Sequence, residues 1–344
     1  MTFENYLQAK KKPIEKAIHS ALILWQKEIA ADTPDLKVLS DILLESNQGG
    51  KNIRGTLVCL GYELFTAKKN QDIFIIAAAY EILQTSLLIH DDIIDKSLLR
   101  RGKETVFQKL GGNHYGISQG ICLGDIGFFI ATQMISRAAF PDAIKVKVLS
   151  HFSQIVLDTS LGQMLDIKFA NNIGSIDEET VVKIAELKTA RYTISGPLAL
   201  GALAAGADPK HLDALSFFGK HVGIAFQIKD DILGIFGDEK TVGKSATSDI
   251  EEGKNTLLIV HAFTYASAKQ KKELLQYYGS GKITEKQQTV IKNIFEETGS
   301  LGYAEKKALE YNEKAKESLG NVTRNENNRK ILESFISFLM TRQK

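Results

Sequence analysis

Three carboxylates and two guanidinium groups lie within one short stretch, Leu87 to Gly102, which reads LLIHDDIIDKSLLRRG. Asp91, Asp92 and Asp95 close a long apolar run, and Arg100 and Arg101 follow within a few residues. If the run is helical, Asp91 and Asp95 stand one turn apart on the same face. Carboxylates stacked in that way repel each other, and a cation between them removes the repulsion. Oxygen-only donors suit a hard ion such as Mg²⁺, which takes one or two protein carboxylates and completes its shell with water and substrate phosphate. Arginine is the residue expected to meet that phosphate, because its planar fork matches phosphate oxygens. The pattern predicts a magnesium-dependent site for a phosphorylated substrate. The competing reading is a solvated acidic helix end beside a basic loop, and one such motif does not separate the two.

The same arrangement recurs in Gly223 to Thr256, GIAFQIKDDILGIFGDEKTVGKSATSDIEEGKNT. Asp230 and Asp231 again end an apolar helical run. Gln227 stands one turn earlier on the Asp230 face, and Lys244 and Lys254 follow in a loop. Acid on a helix end with base on the next loop is hard to obtain twice by chance. Two such helices facing each other would put carboxylates on both sides of one cavity with basic residues at its rim. The segment VGKS, which holds Lys244, invites comparison with a phosphate-binding P-loop. That motif needs a glycine at position 238, where Asp238 stands, and a preceding strand, where this sequence predicts helix. A P-loop is therefore rejected.

Three weaker signals join these two. In GGKNIR, Lys51 and Arg54 share a face at a helix start, where the helix dipole already favours an anion such as a diphosphate. In ELKTARY, Lys188 and Thr189 lie on an apolar helix, where a buried lysine needs an anionic partner; the alternative is a lysine that snorkels to the surface. In LGQMLDI, Gln163 and Asp166 form a polar pair three apart, either buried and satisfied or supporting a metal ion.

The elements that must position these residues are helices. The chain has only five prolines, and its long segments carry apolar residues at spacings of three and four without sustained alternation, so the sequence predicts an all-α fold. Helices are expected over Phe3–Ala31, with Pro13 a candidate kink, over Leu36–Ser46, and from GGKNIRG through Leu57, Leu60, Leu64 and Phe65. A fourth, Asp72–Asp95, carries the first acidic motif, and Lys96–Tyr115 is expected to be loop. Further helices are expected over 116–139, 142–170 and 175–206, the last pausing at Gly196-Pro197. Pro209–Phe236 is next, then a loop over Gly237–Asn255. Thr256–Tyr278, Thr284–Leu319 and Asn328–Arg342 complete the series as scaffold. The small-residue helix 116–139 suits burial on all sides or packing against a second subunit. No linker or repeat divides the chain, so residues 1–344 read as a single domain around a central cavity.

A net charge of +2 gives no reason to expect nucleic acid. Cys59 and Cys122 lie in apolar runs and suggest reduced core filler in a cytoplasmic protein. The amino terminus, MTFENYLQAKKKPIEK, lacks an apolar signal core, and no run of about 18 uncharged apolar residues predicts a membrane span.

Taken in order, these segments resemble the trans-isoprenyl diphosphate synthases, the polyprenyl synthetase family, of the geranylgeranyl diphosphate synthase kind. GGKNIR resembles the family's Gly-Gly-Lys-x-x-Arg segment, and DDIID with LLRRG its first aspartate-rich motif with paired arginines. GQMLD and LKTA resemble its Gly-Gln-x-x-Asp and Lys-Thr segments, and FQIKDDILGIFGD with the later Gly-Lys pairs its second aspartate-rich motif. The resemblance implies that Asp91, Asp95 and Asp230 bind three Mg²⁺ ions holding an allylic diphosphate. It implies that Arg100, Lys188, Thr189, Gln227, Lys244 and Lys254 contact that substrate, and that Lys51, Arg54, Gln84 and Arg101 hold isopentenyl diphosphate. It also implies a homodimer. The implied reaction ionises the allylic diphosphate, adds the carbocation to the double bond of isopentenyl diphosphate, and loses a proton. It requires no nucleophilic side chain, and His90 reads as structural. Gln84 stands where many members have histidine, which others replace with glutamine. Gly55 replaces a proline, with little expected effect. Gly234 is the clearer departure, since many members have the last aspartate of the second motif there; Asp231 or Asp249 is the nearest substitute.

Product length in this family is set below the first motif. Ser86 and Leu87, five and four residues before Asp91, are not aromatic, so the shaft is open at its first level. Tyr80 lies three turns down the same face, about 16 Å from Asp91 at about 1.5 Å per residue, with Ala77, Ala78 and Ala79 beyond it. A floor at Tyr80 favours geranylgeranyl diphosphate; a longer polyprenyl product is the alternative. A terpene cyclase would share the first motif and the fold but needs no second diphosphate site, against Lys51, Arg54 and Arg101. A catalytically incomplete subunit of a heteromeric synthase is suggested only by Gly234.

Overall fold

The computed structural model describes residues 1–170, 174–237 and 248–341. Lys244, Asp238 and the whole VGKS segment lie outside them. Apart from one two-stranded hairpin, the regular structure of the described residues is helical. In chain order the longer helices are α1 (Phe3–Asp32), α2 (Lys37–Ser46), α3 (Ile53–Phe65) and α4 (Ile73–Ile94). After the hairpin and a short α5 (Val106–Lys109) come α6 (His114–Arg137), α7 (Asp142–Phe169), α8 (Glu178–Ile184), α9 (Gly196–Ala204) and α10 (Pro209–Phe236). The short α11 (Ser248–Glu251) leads to α12 (Leu257–Tyr265), α13 (Ala268–Tyr277), α14 (Glu285–Glu297), α15 (Ser300–Val322) and α16 (Glu326–Thr341). Packing groups them into two compact units, Met1–Ser153 with Pro197–Leu212, and Gln154–Gly196 with Asp213–Lys344.

In the first unit α4 is the central rod. Ala77, Ala78, Ala79, Tyr80, Ile82 and Leu83 are fully buried. By length and composition α4 could cross a membrane, but most of its apolar window is enclosed by the rest of the fold. The glycines of α6 let that helix approach α4 closely. A β-carbon on Gly120, Gly124 or Gly127 would lie 2.8 Å from Ile93 Cδ1, 2.3 Å from His90 Nε2 or 2.0 Å from Ser86 Oγ. His90 is thus pinned against α6, its Nε2 3.0 Å from the Ile121 carbonyl oxygen. Gly61 and Gly201 do the same where α3 crosses α9: a β-carbon on either would lie 2.0 Å from a backbone oxygen of the other helix. α1 runs unbroken through Pro13.

Several expected boundaries differ. The 96–115 loop contains a hairpin, Leu99–Arg100 paired with Lys103–Glu104. Its two turn residues, Arg101 and Gly102, have φ of 54° and 75°, and two positive φ values in a two-residue turn match the right-handed twist of the strands. The expected helix Thr256–Tyr278 breaks at Ser267, whose hydroxyl and Gln270 form a reciprocal cap on α13. Thr284–Leu319 breaks at Gly299, which takes a φ of 70° and ends α14. There is no pause at Gly196-Pro197. Instead Ala185–Ser195 continues α8 as a π-helix into α9.

Candidate active site

In the first unit the three aspartates at the end of α4 divide their work. Asp92 is 4% exposed and points inward. Arg100, delivered by the hairpin, binds it in a bidentate fork, with Nε 2.8 and 2.9 Å from the two carboxylate oxygens and Nη2 2.6 Å from Oδ1. The same guanidinium reaches Asp91 Oδ2 at 3.5 Å. Asp91 and Asp95 are half-buried, and the Asp95 N–H donates to the Asp91 carbonyl at 2.8 Å, one turn back. Their donors are oxygens only, which fits a hard divalent ion. Among the described residues no three His, Cys, Asp or Glu side chains gather as a ready-made metal site.

The start of α3 forms a second basic group in this unit. Asn52 is in the left-handed conformation at the helix cap, and its buried Nδ2 has no hydrogen-bond partner among the described residues. An orphaned donor at a helix N-terminus is what an anion satisfies. The Gly55 N–H donates to Glu81 Oε1 of α4 at 2.6 Å, and Glu81 is 9% exposed. The charges of Arg54 and Arg101 both act on Glu81, and a β-carbon on Gly50 would lie 3.9 Å from Arg101 Nη1. Gln84 is half-buried, three residues further along α4. The structure therefore sets Arg54 and Arg101 beside a buried carboxylate, Glu81, that no motif singles out. Gly55 belongs to the same arrangement. A proline there would remove the N–H that Glu81 accepts, and even a β-carbon would sit 3.0 Å from the Ala77 carbonyl oxygen.

Burial pushes the Glu81 carboxyl above its ordinary range, against the Gly55 N–H and the two arginines. A carboxyl whose folded pKa is raised binds its proton more tightly in the native state. Its contribution to stability falls as pH rises from the ordinary carboxylate value to the raised one. Glu81→Gln is expected to remove this part of the slope, seen as a flatter plot of Tm against pH for the substrate-free protein. A slope identical to wild type would rule out titration of Glu81.

In the second unit the π-helix presents Lys188 and Thr189. Lys188 Nζ donates to Asp166 Oδ2 of α7 at 2.6 Å, so the lysine and the aspartate that the sequence left as separate puzzles satisfy each other. Gly162 permits this: a β-carbon there would lie 2.5 Å from the Lys188 backbone nitrogen. Thr189 Oγ1 donates to Gln227 Oε1 of α10 at 2.6 Å, and Gln227 Nε2 donates to Asp231 Oδ1 at 2.8 Å. Loss of solvent, then the neighbouring Asp249, pushes the Asp231 carboxyl well above the usual carboxylate range. Asp230, its neighbour, is exposed. Gln163 of α7 is half-buried.

Gly234 lies one turn beyond Asp230 and Asp231, and the space beside it is filled by another side chain. A β-carbon on Gly234 would stand 2.1 Å from Asp249 Oδ2. The Asp249 carboxylate, 8% exposed, occupies the space beside that glycine. Lys254 Nζ holds its Oδ1 at 2.8 Å, and the Tyr278 hydroxyl donates to the Lys254 carbonyl at 2.5 Å. The signal in the sequence was the glycine itself, small where a larger residue was expected.

A family model described as polyprenyl synthetase matches residues 36–298. The geranylgeranyl diphosphate synthase of Sulfolobus acidocaldarius is 32% identical over 93% of this chain and 92% of its own length. A short chain isoprenyl diphosphate synthase of Methanothermobacter thermautotrophicus is 34% identical over 86% of this chain and 87% of its own. Among solved structures, the geranylgeranyl pyrophosphate synthase of Corynebacterium glutamicum, complexed with isoprenyl diphosphate and magnesium, superposes with a TM-score of 0.89. That match covers 99% of this chain and 100% of the other at 27% identity.

Proposed function

Since the chain belongs to the polyprenyl synthetase family, and is therefore a trans-prenyltransferase, we propose that it condenses isopentenyl diphosphate with an allylic diphosphate and finishes at geranylgeranyl diphosphate. One observation carries the two-substrate reading. The first unit holds two cationic groups of different kind: Arg100 anchored beside the aspartates, and Arg54 with Arg101 at the start of α3 around Glu81. A cyclase with one diphosphate to hold has no use for the second group.

In this reading Asp91, Asp95 and Asp230 would hold Mg²⁺, three ions by the family resemblance, which would supply positive charge to the diphosphate leaving group. Arg100, Lys188, Thr189, Gln227, Lys244 and Lys254 bind the allylic diphosphate, and Arg100 and the lysines stabilise the negative charge that grows as the allylic C–O bond breaks. Lys51, Arg54, Gln84 and Arg101 hold isopentenyl diphosphate so that its double bond meets the carbocation at close range. Proton loss to the departing diphosphate then restores a double bond. Diphosphate release by the purified chain should require both substrates. Release from the allylic substrate alone would favour a cyclase, and no release would favour an incomplete subunit. That subunit reading drew on Gly234, and the Asp249 carboxylate beside it weakens the case.

We assign the floor of the product shaft to Tyr80, which is fully buried and meets Phe152 edge-on at 6.3 Å between ring centroids. Leu87 is half-buried, and Ser86 turns toward Gly127 of α6. Tyr80→Ala should yield products longer than geranylgeranyl from farnesyl diphosphate and radiolabelled isopentenyl diphosphate. An unchanged product ladder would remove Tyr80 as the floor.

We read residues 1–344 as one catalytic domain, because the family match runs through both compact units. A homodimer is supported by uncovered apolar side chains: Ile121 and Phe129 on α6, and Leu157, Leu161 and Met164 at helical spacing on α7. Both cysteines are free; Cys59 is buried as expected of core filler, whereas Cys122 is exposed and is not.

A further inference from the structure

The π-helix Ala185–Ser195 is eleven residues long, whereas π segments are mostly single wide turns, often at functional sites. Pro197 accounts for part of it. A proline inside an α-helix lacks an N–H and clashes with the carbonyl four residues back, and widening the preceding turn relieves that clash. One proline does not explain the wide register as far back as Ala185.

Glu186 and Arg191 do. Five residues of α-helix advance by about 500°, leaving such a pair about 140° apart around the axis. A π-helix, bonded from residue i to i+5, brings them to the same side. Here Arg191 Nη2 lies 2.5 Å and Nε 3.1 Å from Glu186 Oε1, and Glu186 is 6% exposed. Neighbouring helices grip the pair from both sides. Lys220 of α10 reaches Glu186 Oε2 at 2.9 Å. Asp158 of α7 accepts from Arg191 Nη1 at 2.8 Å and is itself held by Gln154 at 2.9 Å. Lys183 adds a longer contact to Glu186 at 3.6 Å.

We propose that Glu186 and Arg191 are positioning residues: their ion pair locks the π register that aims Lys188 at Asp166 and Thr189 at Gln227. The functional half of this inference rests on the reading that Lys188 and Thr189 bind the allylic diphosphate. Return of one turn to α pitch shifts the phase by about one residue, or about 100°. That rotation takes both side chains off their partners.

The test is Arg191→Met, with Glu186→Gln as a second route and Arg191→Lys as the conservative control. KM for the allylic diphosphate should rise on the order of tenfold, about 1.4 kcal/mol, while KM for isopentenyl diphosphate stays within about twofold. Arg191→Lys should recover most of the loss. In a Lys188→Ala, Thr189→Ala background, Arg191→Met should add less than about twofold, because its effect travels through those two residues. An unchanged allylic KM, an equal rise for both substrates, or the full effect persisting in the double-alanine background would overturn the proposal. If Lys188→Ala alone leaves the allylic KM unchanged, the reading of Lys188 fails instead. Hydrogen exchange of amides 188–193 then decides the lock: faster exchange in Arg191→Met supports it, and wild-type rates overturn it.

Discussion

Asp91→Asn is expected to lower kcat/KM by on the order of 10²–10³-fold and to leave Tm within about 2 °C of wild type. Asp91 is half-buried, and its contact with Arg100 is the long one, 3.5 Å. On the proposed function its worth lies in the charge it arranges around a departing diphosphate, and removing one such preorganised group typically costs that much in rate. Asp92→Asn should behave differently. Asp92 is buried and holds the Arg100 fork, and breaking a buried ion pair by removing one partner costs about 3 kcal/mol or more. It should lower both Tm and kcat/KM, because a released Arg100 no longer stands beside Asp91. Steady-state kinetics and thermal unfolding of the two variants separate these roles. Equal loss of Tm in both would mean that Asp91 is structural.

The second large effect runs against family pattern. Gly234→Asp restores the aspartate that many members carry, yet it is expected to lower kcat on the order of 100-fold. The new β-carbon would lie 2.1 Å from Asp249 Oδ2 and 3.0 Å from its Cγ, so Asp249 must leave. Asp249 anchors Lys254, whose carbonyl is tied to Tyr278, so the displacement loosens a lysine read as a diphosphate ligand. Gly234→Asp combined with Asp249→Gly makes room and should recover most of the activity. Full activity in Gly234→Asp alone would show that Asp249 moves aside without consequence.

Much of this was legible from residue types and spacing. Apart from the short α5, which lies inside the expected 96–115 loop, the helices from α1 to α10 fall close to their expected ranges because apolar periodicity is strong and proline is scarce. The seams at Ser267 and Gly299 were missed because local capping chemistry interrupts an amphipathic pattern that reads as continuous. The π register was missed because no short-range periodicity announces it; its signature is a Glu-to-Arg spacing of five. Within the site, the residues expected to meet substrate were nameable from their motifs. The groups that hold them were not. Asp92 reads as one of three equivalent aspartates until Arg100 is seen forked upon it. Glu81 is a single acid in an apolar run, and its partners come from the hairpin turn and the start of α3. Long-range pairings of this kind leave almost no trace along the chain.

On the proposed function this chain alone makes geranylgeranyl diphosphate from isopentenyl diphosphate and a shorter allylic primer. Product analysis of the purified full-length protein, with Mg²⁺, radiolabelled isopentenyl diphosphate and dimethylallyl, geranyl or farnesyl diphosphate in turn, measures it directly. One terminal product, geranylgeranyl diphosphate, is expected from each accepted primer. Accumulation of farnesyl diphosphate, a ladder continuing past geranylgeranyl, or no condensation at all would contradict it.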